Sequence, residues 1–173
     1  MRLIRIFLML FVLVVAMTLS QAQVKWYKIE EAEAQAAKQN KKIMVKVYAP
    51  WCGWCKEMDK ATFPNKHVAK ILNESYIPVQ FNAEQLGDIK WGSTTFKVVR
   101  PKNSGRYHQL AAQWLNGQMS YPTIVILDEN GRVIQAMAGY RRAAEFEKLI
   151  AFFATNAHQN TPWATFEKDY KRN

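Results

Sequence analysis

The chain has 173 residues, with 24 Lys and Arg against 14 Asp and Glu, 49% hydrophobic residues and 13% aromatic ones. Seven Gly, six Pro and two Cys exclude collagen-like, low-complexity and disulfide-dense scaffolds, and the apolar fraction suffices for one core. The net charge of +10 bears on solubility and association, and with no nucleic-acid motif in the sequence no nucleic-acid partner is expected.

Arg2 and Arg5 precede an uncharged apolar run from Ile6 to Met17, and Ser20 and Ala22 suit cleavage before Gln23. Residues 1–22 are expected to be a signal peptide, because the run falls short of the roughly 20 residues a spanning helix needs. The alternative is an uncleaved anchor, which would put the protein at a membrane with its arginines on the cytoplasmic side. Removal of Arg2 and Arg5 leaves 22 basic residues against 14 acidic, a net of +8. Either way the domain is expected outside the cytoplasm, in the periplasm or an equivalent compartment, where a disulfide persists.

From Gln23 the chain reads as alternating helices and strands. Ile29 to Asn40 has acids first and lysines last, as the helix dipole favours, and Ile43 to Tyr48 follows as a strand closed by Pro50. A helix starts at the cysteines and stops near Phe63, since Pro64 cannot continue it. Lys66 to Asn73 reads as helix and Tyr76 to Asn82 as strand. Further on, Ile89–Trp91 and Thr95–Val99 form a candidate small hairpin, and Tyr107 to Asn116 a helix capped by Gly117. Two apolar runs, Thr123 to Leu127 and Val133 to Ala138, flank Asn130-Gly131 as a hairpin. Ala143 to Asn156 sets Phe146, Leu149, Ile150 and Phe153 on one helical face. Residues 158–173 carry Trp163, Phe166 and Tyr170 at helical spacing, an extension expected to pack on the domain spanning 23–157.

The chemistry lies in Trp51-Cys52-Gly53-Trp54-Cys55-Lys56. Two cysteines three apart at a helix start hold their sulfurs within reach of a disulfide. The first faces unpaired helix amides that favour thiolate over thiol. Cys52 is therefore expected to attack and Cys55, one turn later, to resolve the mixed disulfide, with Lys56 as a nearby cation. A structural zinc site would need two more ligands, and His67, His108 and His158 lack paired spacing. A copper(I) ion held by two thiolates remains open, as does a binding module without catalysis.

Together with Tyr48-Ala49-Pro50 before the cysteines, Tyr121-Pro122-Thr123 before an apolar strand and the Asn-Gly hairpin, this motif resembles the thioredoxin superfamily over about Trp26 to Asn156. It looks like the exported bacterial thioredoxin-like proteins. The resemblance implies an α/β fold, a central mixed sheet flanked by helices, and a cis peptide between Tyr121 and Pro122. It also implies thiol-disulfide exchange at Cys52, with Tyr121 and Pro122 contacting substrate. Trp51, Gly53 and Trp54 complete the expected substrate-binding set, the two tryptophans as an exposed apolar rim. No organic cofactor is implied, because the dithiol carries both electrons. The partners are protein thiols or disulfides and a separate redox protein that resets the pair, acting on a chain expected to be a monomer.

Two departures from the family pattern stand out. Lys46 occupies the position, six residues before Cys52, where related reductases often bury an acid. Pointed inward it would favour the Cys52 thiolate; the alternative is an amine that snorkels to solvent. The other departure is an insert at about 85–117, before the proline loop, with Trp91, Phe96, Tyr107 and Trp114. It either walls a substrate groove or extends the core, and core extension is the expectation.

Overall fold

The computed structural model describes residues 23–102 and 105–172; the expected signal peptide lies outside them. Strand β1 (Lys42–Tyr48) occupies the middle of a four-stranded sheet. It pairs in parallel with β2 (Tyr76–Asn82) and antiparallel with β7 (Thr123–Leu127), which carries β8 (Val133–Ala138) at the edge. Because strand side chains alternate, Ile43, Val45 and Val47 enter one core while Met44 enters the other. Both faces are therefore covered, which is why β1 reads as a nearly unbroken apolar run.

The first core is closed by α1 (Ile29–Gln39), through Ile29, Ala32 and Ala36, and by the segment between β2 and β7. Asn40 ends α1 in the left-handed conformation at φ 49°, turning the chain directly into β1. The second core is closed by α2 (Gly53–Ala61), α3 (Lys66–Ser75) and a later helix, through Met58, Val68, Leu72, Phe146 and Ile150.

Within the segment at 85–117, β3 (Ile89–Trp91) pairs with β4 (Thr94–Phe96), and β5 (Val98–Val99) pairs separately with β6 (Tyr107–His108). The expected single strand Thr95–Val99 is thus divided at Lys97. The Lys97 amide donates to Gln109 Oε1 at 2.8 Å and its carbonyl accepts from the Gln109 amide at 2.9 Å, which takes that residue out of the ladder. The expected helix over Tyr107–Asn116 contracts to α4 (Gln109–Trp114), since His108 Nδ1 accepts from the Leu110 amide as an N-cap. Trp91, Phe96 and Trp114 are buried in the first core, and Trp114 meets Phe81 and Trp91 edge to face.

Trp91 also donates to the Gly131 carbonyl at 3.2 Å in the β7–β8 turn, while both Glu33 oxygens accept from the Gly92 amide. Gly131 has φ +77°, and a Cβ there would lie 3.1–3.2 Å from Glu33 and Trp91, so this turn admits only glycine without displacing them.

After β8, α5 (Ala143–Ala154) leads through a short 3-10 turn to α6 (Trp163–Asp169). Phe152 packs against Trp163 and Phe166 with centroids 5.3 and 5.0 Å apart. Buried Glu147 accepts from Arg172 Nε and Nη2, both at 2.8 Å, and from the Tyr170 hydroxyl. Among the described residues no helix is long and apolar enough to cross a membrane.

Candidate active site

The site forms where β1 hands over to α2. Cys52 is the N-cap of α2, and its Sγ accepts from the Cys55 amide at 3.1 Å. An otherwise unpaired helix donor is thus aimed at the first sulfur. Cys52 and Cys55 form a disulfide with S–S 2.05 Å and Cα atoms 5.3 Å apart. Both are largely covered, Cys52 at 5% exposure and Cys55 at 2%, and they cluster with Ala49, Tyr48 and Tyr121. The less covered cysteine is the one whose sulfur receives the amide, so greater exposure and thiolate stabilisation fall on Cys52.

The Tyr121–Pro122 peptide bond is cis. The loop is tied down where the Gly139 amide donates to the Pro122 carbonyl at 2.8 Å and Thr123 Oγ1 donates to the Ser120 carbonyl at 2.7 Å. Burial, with the nearby Glu84 charge, pushes the Tyr121 hydroxyl up to about 12. That tyrosine therefore stays neutral beside the cysteines.

Both tryptophans of the motif are exposed, Trp51 at 68% and Trp54 at 64%. Trp51 stands edge-on to Tyr121 at 5.8 Å and donates its indole N–H to Glu84 Oε1 at 2.7 Å. Trp54 leans on Tyr140 at 5.3 Å and, with Gly53, Glu57, Tyr140 and Arg142, lines a cavity of about 620 Å³. A Cβ added at Gly53 would meet nothing within 4 Å, so the space over that position is open to an incoming chain. A larger cavity of about 720 Å³ lies beyond the opposite end of β1, at Lys42, Asp128 and Arg132, away from the sulfurs.

The solvent-facing alternative for Lys46 is corrected. Its side chain is fully buried on the Met44 side of β1, and its ammonium pairs with Asp59 of α2 beneath the rings of Tyr48 and Phe63. The strand is covered on both faces, so the amine is shielded from solvent and pairs with a carboxylate that is itself partly exposed. Burial pushes the Lys46 ammonium down, and the hydrogen bond and charge of Asp59 oppose that shift. Lys56 is exposed; its amide donates to the Cys52 carbonyl at 3.3 Å, and its ammonium makes no hydrogen bond among the described residues.

Asp59, Glu84 and Tyr140 were not singled out in the sequence. Asp59 carries a helical signal, since it follows Cys55 by four residues on the same face of α2. Glu84 carries a topological one, because it follows the carboxyl end of a strand parallel to β1, where functional groups of open α/β sheets gather.

A thioredoxin-like domain model matches residues 29–154. The chain belongs to the thioredoxin-like domain family. Solved structures that this thioredoxin-like chain resembles include a thioredoxin from Thermus thermophilus and a thioredoxin-fold protein from Helicobacter pylori. The first has TM-score 0.57 and 19% identity, covering 78% of this chain and 89% of that one. The second has TM-score 0.60 and 18% identity, covering 87% and 92%. These likenesses are of fold.

Among curated relatives, spermatogenesis-associated protein 20 of Mus musculus is 35% identical over 83 residues, covering 47% of this chain and 10% of that protein. The thiol:disulfide interchange protein DsbD of Colwellia psychrerythraea is 42% identical over 125 residues, covering 71% and 17%. The chain thus spans between a tenth and a sixth of the length of these relatives. Among the described residues no three His, Cys, Asp or Glu gather as a metal site.

Proposed function

We propose that this protein is an extracytoplasmic thiol-disulfide oxidoreductase acting on cysteines of exported proteins, with Cys52 attacking and Cys55 resolving. The observation that carries the reading is the Cys52–Cys55 disulfide at a helix N-terminus, its first sulfur facing the Cys55 amide, with Tyr121 of the cis-proline loop packed against the pair. The partial likeness to DsbD supports the reaction class. The leader pattern with Arg2, Arg5 and the following apolar run supports the compartment.

In the reductive direction the Cys52 thiolate attacks one sulfur of a substrate disulfide. A Cys52-substrate bond forms, the substrate S–S bond breaks, and the released thiolate takes a proton from water. The Cys55 thiolate then attacks Cys52 Sγ, expelling the second substrate thiolate and closing the intramolecular disulfide. The substrate gains two electrons and the protein loses two, so a dithiol partner must return them; oxidation of a substrate runs the same steps in reverse. Trp51, Trp54 and the Tyr121-Pro122 loop hold the substrate chain, Gly53 leaves it room, and Lys46 and Lys56 bear on the thiolate. We assign residues 1–22 to a leader, 85–117 to an insert that extends the core, and 158–173 to an extension on the domain.

Reduction of insulin disulfides by the dithiol form is the test, run beside Cys52→Ala and beside copper(I) titration at equal protein concentration. Turnover lost in the variant is the expected result. Stoichiometric copper binding without turnover would assign the chain to metal carriage instead.

A further inference from the structure

Glu84 is fixed in the rim of the site at three points. Its amide donates to Asn82 Oδ1 at 2.9 Å, its carbonyl accepts from Arg106 Nε at 2.9 Å, and its Oε1 accepts from the Trp51 indole at 2.7 Å. Its other carboxylate oxygen, Oε2, has no hydrogen-bond partner among the described residues. Arg106 is held on the Glu84 carbonyl and forms no ion pair with the carboxylate. The charge is felt at Tyr121, the residue that packs on the cysteines, where it helps hold the hydroxyl neutral. The opposite flank differs, since Arg141 is paired with Glu145, and Arg142 and Glu57 share the cavity at Trp54. An anchored carboxylate with a free acceptor oxygen thus stands on the Trp51–Tyr121 side, in a protein whose formal charge is strongly positive.

Resting on the oxidoreductase reading, we propose that Glu84 is a specificity residue: its carboxylate selects disulfide substrates that carry Lys or Arg beside the attacked cysteine. A chain docked against Tyr121 lays the neighbours of its cysteine along the rim. A cation there meets Glu84, whereas an acid there meets a like charge held by the Trp51 indole on a backbone pinned at its amide and carbonyl. The global positive field acts the other way, drawing acidic chains to the molecule, so the local preference sets which cysteine in an arriving chain is attacked. For a charge pair at a solvated rim the expected discrimination is roughly two- to fivefold, falling with added salt.

The test uses two quenched fluorescent peptides with the same disulfide, one with Lys and one with Glu beside the cysteine, and reads the ratio of their kcat/KM values at low and high ionic strength. Glu84→Gln keeps an acceptor for the Trp51 indole and removes the charge; Glu84→Lys reverses the charge. The ratio is taken within one preparation, so a partly unfolded variant does not distort it. The expected result is a preference for the Lys peptide that fades with salt, vanishes in Glu84→Gln and inverts in Glu84→Lys. Equal rates in the wild type, or a preference that survives Glu84→Gln, would overturn the proposal and leave the oxidoreductase reading intact. Exchange of neither peptide by the wild type would overturn both.

Discussion

Two pairs of tryptophans in this molecule have opposite surroundings. Trp91 and Trp114 are 7% and 2% exposed and meet at 5.1 Å inside the first core, whereas Trp51 and Trp54 stand more than three-fifths exposed beside the disulfide. A buried indole stabilises by the area it removes from water, on the order of 25 cal/mol per Å². An exposed one forgoes that gain, and two of them one turn apart, each leaning on a tyrosine, leave an apolar surface that only a bound chain would cover. The same residue type is thus buried for cohesion in the segment at 85–117 and left exposed beside the disulfide.

Trp114→Ala should lower unfolding free energy by about 3–5 kcal/mol, measured by denaturant titration, while exchange per folded molecule stays near wild type. A stability loss below ~1 kcal/mol would show that the insert is not part of the core. At the exposed half, Trp51→Ala and Trp54→Ala should each shift stability by no more than ~1 kcal/mol and lower kcat/KM for insulin roughly tenfold, equivalent to about 1.4 kcal/mol of lost contact. Unchanged kinetics in both variants would remove the rim from substrate binding.

Charge offers finer tests, because two ion pairs each join a buried group to a half-exposed partner, Lys46 to Asp59 and Glu147 to Arg172. Lys46→Ala leaves Asp59 without its cation in the helix that begins at Cys52, so the Cys52 thiolate titration should rise by up to ~1 unit and the reduction potential should fall; Asp59→Asn should move both the other way. Ultraviolet thiolate absorbance and equilibration with glutathione read the two effects. On the far side, burial alone would raise Glu147, but the hydrogen bonds and charge of Arg172, with Tyr170, bring its carboxyl below the ordinary value. That contribution to stability is present at neutral pH and is lost as pH falls through the lowered native titration. Arg172→Ala should therefore lower the melting temperature at pH 7 and have progressively less effect as Glu147 takes up its proton.

Legibility followed periodicity. Tyr76–Asn82 and both arms of the Asn-Gly hairpin stand where alternation and turn chemistry put them, and α1, α3 and α5 differ from the sequence reading by one or two residues at an end. The cysteine pair was legible because three residues of helix fix its geometry. Where side chains take over backbone partners, as at Lys97 and His108, the elements end short of their sequence pattern. Contacts across 13, 25 and 33 residues, Lys46–Asp59, Glu147–Arg172 and Trp51–Glu84, leave no periodic trace. For Lys46 the sequence leaves solvent and interior both open, and the helices on its side of the sheet decide for the interior.

The glycine at 131 has a reach that its turn alone does not suggest. By admitting the Trp91 ring and the Glu33 carboxylate, it anchors the lower part of the insert at the end of the sheet remote from the sulfurs, while Glu84 hangs at the upper end, where the insert departs. If Glu84 selects substrates as proposed, changes in the rim alter that preference and leave the anchorage untouched. A methyl group at 131 would do the reverse, pressing on Glu33 and Trp91 and loosening the segment from below without touching the rim at Trp51 and Glu84.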